Sequence, residues 1–259
     1  MQLRFTCRCA VFAARAVFAF APLLLCMKPI AQIASDFDAI ADAIGNGRAH
    51  ESLMPAEQAL LRHVPPGART GLDVGCGDGV LTRALARRGV AMLAIDVSPK
   101  MIDLARARTD RGMMVDYRVG DFMTLSLPPA AFDVVMSVNT VHHMELERVV
   151  PRLVACVAPG GTLLIQDVVT RNGVRALPIN VVASVRRRLR RLLTPSRISS
   201  RVASLYAQHG IGESYLTPER VVAEYQAILP DARIEQHLEW RYSVIWTRPS
   251  AHGTADVPS

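Results

Sequence analysis

Paired cysteines are the first feature that this sequence lacks. The chain has only five cysteines, an odd number, and Cys7 and Cys9 are the only two that lie close together. A disulfide framework or a cysteine-ligated zinc site does not fit this pattern. We therefore expect reduced thiols, a cytoplasmic location and no bound metal.

Phosphate-binding glycine motifs are also missing. Three glycines alternate within Leu72–Gly79, but no Gly-Lys-Ser/Thr follows, which excludes a P-loop for nucleoside triphosphates. Val80 stands where the G-x-G-x-x-G dinucleotide fingerprint needs its third glycine. This spacing argues against a NAD-type oxidoreductase, which we keep as an alternative function.

The N-terminal segment 1–34 resembles a targeting signal but lacks essential parts of one. Arg4 and Arg8 precede a short apolar run, as in a secretory signal, but no clean small-x-small cleavage site follows. Pro22 interrupts the run, which is shorter than the roughly twenty apolar residues of a membrane span. We favour a disordered tail, or a start at Met27, over a working export signal. The polar end 250–259 is also predicted to be disordered.

Positive charge is plentiful and partly local. The formal net charge is +7, and five arginines lie within Arg186–Arg191, where valines and leucines recur at helical spacing. Such a basic amphipathic helix contacts a membrane surface, a nucleic acid or an acidic substrate, or packs its apolar stripe on the domain. These alternatives remain open, but the segment has no aromatic residues for base stacking, so we expect no nucleic-acid partner.

The stretch Leu72–Gly79 organises the rest of the chain. An apolar approach reaches Asp73, three glycines follow at alternate positions, and Val80–Ala86 then favours a helix. Glycines permit the unusual φ angles of a tight turn and the close approach of a ligand to the backbone. A carboxylate at Asp73 would repel phosphate but suits a cation. The pattern resembles motif I of the class I S-adenosylmethionine-dependent methyltransferases, whose cofactor is a sulfonium without phosphates.

Further motifs occur in the order of that family, so that the resemblance covers roughly Leu72 to Val169. Asp96 ends a buried apolar run 23 positions after Asp73, close to the spacing of a ribose-binding acid. Asp121 and its neighbour Phe122 resemble the adenine site. The resemblance implies that the cofactor contacts ten residues: Asp73, Gly75, Cys76, Gly77, Gly79, Asp96, Val97, Asp121, Phe122 and Asn139.

His142 and His143 follow Asn139 where the family has the floor of its methyl-transfer cavity. We favour a structural role for both imidazoles over catalysis, because the sequence pairs no acid with either of them. If the acceptor is a hydroxyl, His142 is the candidate base. The (Asn/Asp)-Pro-Pro-aromatic sequence of nucleic-acid amino-methyltransferases is absent, which argues against DNA bases as substrate.

The predicted fold is α/β, a doubly wound Rossmann-like seven-stranded sheet with the last strand antiparallel, in one domain spanning 35–249. Helices precede the first strand, the first of them capped by Ser35 and Asp36, and act as packing elements or as a lid. A helical insertion, 170–215, follows strand 5. The implied function is methyl transfer from S-adenosylmethionine to a small molecule. A membrane-associated, non-catalytic S-adenosylmethionine-binding protein is the second alternative, suggested by the apolar N-terminus and the arginine-rich helix.

Overall fold

The computed structural model describes residues 28–45, 53–170, 177–193, 199–237 and 240–250. The segment 1–27 and the end 251–259 lie outside this description, and so do the predictions that we made for them. Within the sixth helix, the side chains of 177–179, 187 and 190–193 are likewise outside it.

The described helices are α1 (Ile30–Ile44), α2 (Pro55–Leu60), α3 (Val80–Ala86), α4 (Pro99–Arg108), α5 (Leu146–Cys156), α6 (Leu177–Leu193), α7 (Ser200–His209) and α8 (Pro218–Ile228). The strands are β1 (Thr70–Val74), β2 (Ala91–Asp96), β3 (Val115–Val119), β4 (Phe132–Val138), β5 (Val157–Val168), β6 (Arg233–His237) and β7 (Arg241–Thr247). Short 3₁₀ turns occupy Leu61–His63 and Val141–His143. A helix follows each of β1, β2, β4 and β5, whereas β3 leads into β4 through a loop.

The seven strands form one sheet in the order β3-β2-β1-β4-β5-β7-β6. The first five strands in this order, from β3 to β5, are parallel to one another. Strand β7 runs antiparallel to both β5 and β6. This arrangement confirms the predicted doubly wound sheet with its last strand antiparallel. The central strands are apolar without alternation because helices cover both faces, and Val134, Val135 and Met136 are fully buried.

Two apolar layers lie on opposite faces of the sheet. On one face, α5 and α8 bury Val149, Leu153 and Tyr225 against β4, β5 and β7. On the other face, α2 and α3 pack their leucines on the same strands, and α4 packs beside them over β2 and β3. Helix α1 lies at the carboxyl end of β2, where its Asp38 accepts a hydrogen bond from the hydroxyl of Ser98 at 2.6 Å.

The first helix begins earlier than the sequence suggested. Helix α1 starts at Ile30 after Pro29, so the prediction that Ser35 and Asp36 cap it was wrong. The carboxylate of Asp36 instead accepts hydrogen bonds from Gln32 Nε2, at 2.7 Å, and from the ring of His209, at 2.9 Å. Asp36 thus lies in the second turn of α1, where its side chain binds these two partners and does not reach the helix terminus.

Helix α6 does not pack its apolar stripe on the domain. Its larger apolar side chains are more than half exposed, at 53–55%: Val181, Val182, Val185 and Leu189. Ala183 is buried instead, and Asn180 Oδ1 accepts a hydrogen bond from Trp240 at 2.9 Å. The docked-stripe interpretation is therefore wrong for these four residues. No helix among the described residues combines the length and the apolar character needed to cross a membrane.

Candidate functional site

The strand order reverses between β1 and β4, and this reversal positions the candidate site. In an open α/β sheet the connections from two such strands diverge, which leaves a crevice at their carboxyl ends. Gly75 follows β1, and the side chain of Thr140, after β4, lies directly against it. The two strands are held in register there by Ser137, whose hydroxyl donates to the carbonyl of Val74 at 3.0 Å.

The three glycines of the first turn all have positive φ, but for different reasons. A Cβ at Gly75, where φ is +74°, would lie 2.1 Å from Thr140 Oγ1, and a Cβ at Gly79 would lie 2.5 Å from Tyr117 Oη. A Cβ at Gly77, where φ is +53°, would meet no atom within 4 Å. Gly75 and Gly79 are therefore required by protein neighbours, whereas Gly77 borders open space that a ligand can occupy.

Asp96 joins this turn to the end of β2. Its Oδ2 accepts a hydrogen bond from the backbone N–H of Gly77 at 2.8 Å, and its Oδ1 accepts one from Ser98 at 2.9 Å. Burial raises the pKa of this carboxyl, although the backbone donors oppose the shift. Each oxygen retains lone-pair capacity, so the group can still accept hydrogen bonds from a ligand diol. The hydroxyl of Ser98 caps α4 by accepting a hydrogen bond from the backbone N–H of Met101 at 3.0 Å.

Asp73 and Cys76 lie inside the protein, behind the turn. The carboxylate of Asp73 accepts a hydrogen bond from the hydroxyl of Thr82, on α3, at 2.5 Å. Burial raises its pKa to about 7, against the effect of that hydrogen bond. Cys76 packs with Ile102 and Tyr117, and burial holds its thiol pKa well above the ordinary value. Both residues are placed to support the turn from behind.

The other predicted cofactor residues lie around the same edge of the sheet. Asp121 Oδ1 accepts a hydrogen bond from the backbone of Met123 at 2.8 Å, and Val97 is half-buried directly after β2. The ring of Phe122 is packed in the core, with the guanidinium of Arg152 5.1 Å from its centroid.

Asn139 follows β4 in the left-handed region, with φ of +55°. Its Oδ1 accepts a hydrogen bond from the guanidinium of Arg241 on β7. The structure thereby brings a cation from the antiparallel end of the sheet to the crevice.

His142 is paired with an acid, contrary to the sequence-based reading. Its Nδ1 lies 2.7 Å from Asp167 Oδ1, and its backbone N–H donates to Asp167 Oδ2 at 2.9 Å. Burial disfavours the imidazolium, but the charge and hydrogen bond of Asp167 outweigh it and raise the pKa of His142. Asp167 was overlooked because it lies within a buried strand 25 residues away, and its polarity in that apolar run was the available signal.

Two further histidines complete a cluster of imidazoles. The Nε2 atoms of His143 and His209 are 3.4 Å apart, and the ring of His142 lies 3.9 Å from that of His143 between centroids. Burial and the two neighbouring imidazoles lower the pKa of His143 to about 2. Nothing in the sequence pointed to His209, which comes from the end of α7.

The comparisons agree with this geometry. A family model described as "Methyltransferase domain" matches residues 72–165. An uncharacterized methyltransferase of Mycobacterium tuberculosis is 33% identical over 193 residues, which are 72% of this chain and 90% of that relative. A ubiquinone biosynthesis O-methyltransferase of Xanthomonas campestris is 36% identical over 129 residues, 48% of this chain and 54% of the relative.

A solved structure of the same fold is the N-methyltransferase NodS from Bradyrhizobium japonicum, in complex with S-adenosyl-L-homocysteine. It superimposes with a TM-score of 0.54 at 17% identity, and the match covers 83% of this chain and 99% of that one. At this identity the likeness supports the fold alone.

Proposed function

The chain belongs to the class I S-adenosylmethionine-dependent methyltransferases, and we propose that it methylates a hydroxyl oxygen of a small molecule. The observation that carries the proposal is that Gly77, Asp96 and the Asp167-paired imidazole of His142 all lie at the carboxyl ends of the parallel strands. The similarity to an enzyme named as an O-methyltransferase favours oxygen as the acceptor atom. The NAD-type alternative has no support among the relatives that we compared.

The cofactor side is built from the first two strands. The residues fit S-adenosylmethionine because Gly77 leaves space and because Asp96 can accept hydrogen bonds from both ribose hydroxyls. In this proposal Asp121 orients the adenine, and Asp73 supports the turn through its hydrogen bond with Thr82. When bound, the cofactor supplies an electrophilic methyl carbon, which would accept an electron pair of the acceptor while the C–S bond breaks and its electron pair stays on the departing thioether sulfur. Positioning the acceptor in line with that methyl group provides much of the rate enhancement.

The acceptor side is built from residues after β4 and at the end of β5. Because Nδ1 of His142 is engaged by Asp167, its Nε2 is the ring nitrogen that remains for contact with the acceptor site. Arg241 lies close enough to His142 to lower its pKa, and it also binds Asn139. The pairing with Asp167 fixes the orientation of the His142 ring, and Arg241 adds positive charge to the acceptor site.

A recess of about 310 Å³ adjoins Arg241. Met54, Pro55 and two alanines of α2 line it, together with Arg186 of α6 and Arg241 of β7. Its size is at the lower end for small-molecule pockets. We assign this recess to the apolar part of the acceptor.

Helix α6 makes a membrane surface a candidate partner of the enzyme. Exposed Val182 and Val185 stand beside the exposed Arg186 and Arg188, a combination that binds anionic lipid surfaces. Sedimentation with vesicles tests this point. We expect binding to phosphatidylglycerol vesicles that falls with salt, and a Val182→Asp variant that stays in the supernatant.

A methyl-transfer assay tests the function. S-Adenosylmethionine with an isotope-labelled methyl group is offered together with a panel of hydroxylated aromatic acceptors. The proposal expects label in at least one hydroxyl compound and in none of its fully O-methylated counterparts. Label only in amines, or no label from a wild type that binds the cofactor, would contradict it. An Asp96→Ala variant controls for transfer outside the crevice.

A further inference from the structure

Three histidines from distant parts of the chain bring their rings together beside the acceptor site. His142 and His143 lie in the turn after β4, and His209 ends α7. Each residue has one ring nitrogen that can bind a metal, and these three nitrogens all lie within 4.8 Å of one another. Convergence of three imidazoles is not explained by the fold, because each could have been turned to solvent or replaced by an apolar side chain.

Each imidazole has a carboxylate at its Nδ1. Asp167 lies 2.7 Å from Nδ1 of His142, and Asp36 lies 2.9 Å from Nδ1 of His209. Glu213 lies 3.3 Å from Nδ1 of His143, without the alignment of a hydrogen bond. A carboxylate at Nδ1 favours the proton there and leaves the Nε2 lone pair free, which is the arrangement found behind metal-bound histidines.

His143 and His209 meet through their Nε2 atoms, which are 3.4 Å apart. Without a cation, one of the two nitrogens carries a proton and donates it to the other; a cation between them would take the place of that proton. Two Zn²⁺-bound nitrogens at tetrahedral angles are separated by about 3.3 Å, given Zn–N bonds of about 2.05 Å. The observed separation therefore matches a shared metal ion, and His142 has to approach by no more than about 1.5 Å.

The surroundings of the rings carry negative charge. Three carboxylates contact the rings, and the ammonium of Lys28 lies 3.5 Å from two of them, Asp36 and Glu213. Lys28 and, further away, Arg241 offset only part of this charge. The side chains of His143 and Glu213 are only 7% and 5% exposed, so solvent screens the remaining charge weakly and a cation is favoured there.

We infer that His142, His143 and His209 bind a divalent cation of the zinc class through their Nε2 atoms. Imidazole suits zinc and its first-row neighbours, and three histidines leave a fourth position open. The site also joins α1, α7 and the turn after β4. The expectation of no metal was drawn from cysteine spacing, which does not report on histidines this far apart in sequence.

The open position gives the metal a role that rests on the proposed function. An acceptor hydroxyl bound there loses its proton to solvent more easily, because the cation lowers the hydroxyl pKa. The oxygen then forms the new bond to the methyl carbon while the carbon–sulfur bond breaks, with its electron pair remaining on sulfur. In this scheme His142 is a metal ligand and not the base.

Metal analysis of the full chain, purified without chelators, tests the inference. We expect about one zinc per chain in the wild type, and loss of at least nine-tenths of it in His143→Ala and His209→Ala. His63→Ala is the matched control, because Nε2 of His63 pairs with Glu235 at 4.0 Å outside the cluster, and it should keep its zinc. Glu213→Gln should retain the ligands but bind zinc about 10–100-fold more weakly.

Cobalt substitution gives a second readout that needs no variant to fold. The wild type, stripped with a chelator and reloaded with Co²⁺, should show the visible absorption bands of a four- or five-coordinate site. Absence of zinc after purification together with no uptake of Zn²⁺ or Co²⁺ at micromolar concentration would overturn the inference, as would equal zinc in all variants.

Calorimetric binding of S-adenosylhomocysteine to the stripped and reloaded protein separates the two proposals. We expect the cofactor to bind in both states, since Asp96 and Gly77 lie apart from the imidazoles. Zinc without cofactor binding would remove the proposed function, and cofactor binding without zinc would remove only the metal site.

Discussion

The turn glycines allow a sharp test of where the cofactor lies. Gly77 and Gly75 are two residues apart and both have a left-handed φ, +53° and +74°, but of the two only Gly75 has a neighbour that would clash with a Cβ. A left-handed alanine costs about 1–2 kcal/mol, which is the whole expected loss of unfolding free energy in Gly77→Ala. Gly75→Ala adds overpacking against Thr140, about 1–3 kcal/mol, because the atoms that it meets belong to a short, branched side chain.

For cofactor binding, in contrast to stability, we expect a large effect from Gly77→Ala. The methyl group of Gly77→Ala projects into the space that we assign to S-adenosylmethionine, so the dissociation constant should rise about 10–100-fold, or about 1.4–2.8 kcal/mol. Gly89→Ala is the matched control, since φ is +87° there and a Cβ meets nothing within 4 Å, far from the crevice. Urea unfolding and calorimetry of all three variants measure both quantities. Equal cofactor affinity in Gly77→Ala and Gly89→Ala would refute the reasoning.

Two further predictions concern buried charges near the same turn. Between pH 4 and pH 7 the unfolded chain releases the proton of Asp73 whereas the folded chain keeps it, because its pKa is raised to about 7, so stability falls as pH rises. From pH 5 to pH 7, urea unfolding of the wild type should lose about 2 kcal/mol more than that of Asp73→Asn, and parallel curves would contradict the prediction. Arg108 pairs with Asp78 at 2.5 Å, with side chains only 3% and 14% exposed. Arg108→Met should therefore lower the free energy of unfolding by about 3–5 kcal/mol, measured by thermal or urea unfolding. A decrease below 1 kcal/mol would show that the pair does not stabilise the fold.

Local signals explain why much of the fold was predictable from the sequence. The glycine turn and the acid at the end of β2 each depend on a few neighbouring residues. The caps of α4 and α8 are equally local: Ser98 and Thr217 each stand directly before a proline, and their hydroxyls accept hydrogen bonds from backbone N–H groups. The order of the strands was not visible in spacing, and its prediction came from the family resemblance.

The parts that were missed depend on contacts between distant residues. Asp36 and His209 are 173 positions apart and meet only because α1 and α7 pack together. Asp167 reaches His142 because β5 lies beside β4 in the sheet. For α6, periodicity correctly predicted an amphipathic helix. Periodicity does not specify what covers the apolar face, and here Val182 and its apolar neighbours remain exposed.

Calorimetric titration of S-adenosylmethionine into the wild type and Asp96→Ala tests the central claim most directly. The carboxylate of Asp96 is expected to accept two ribose hydrogen bonds, each contributing about 1.5–3 kcal/mol as a bond to a charged group. The account predicts micromolar binding by the wild type and at least a hundredfold loss in the variant, with circular dichroism unchanged. Equal affinity in both proteins, or no binding by a folded wild type, would contradict the claim that this crevice holds the cofactor.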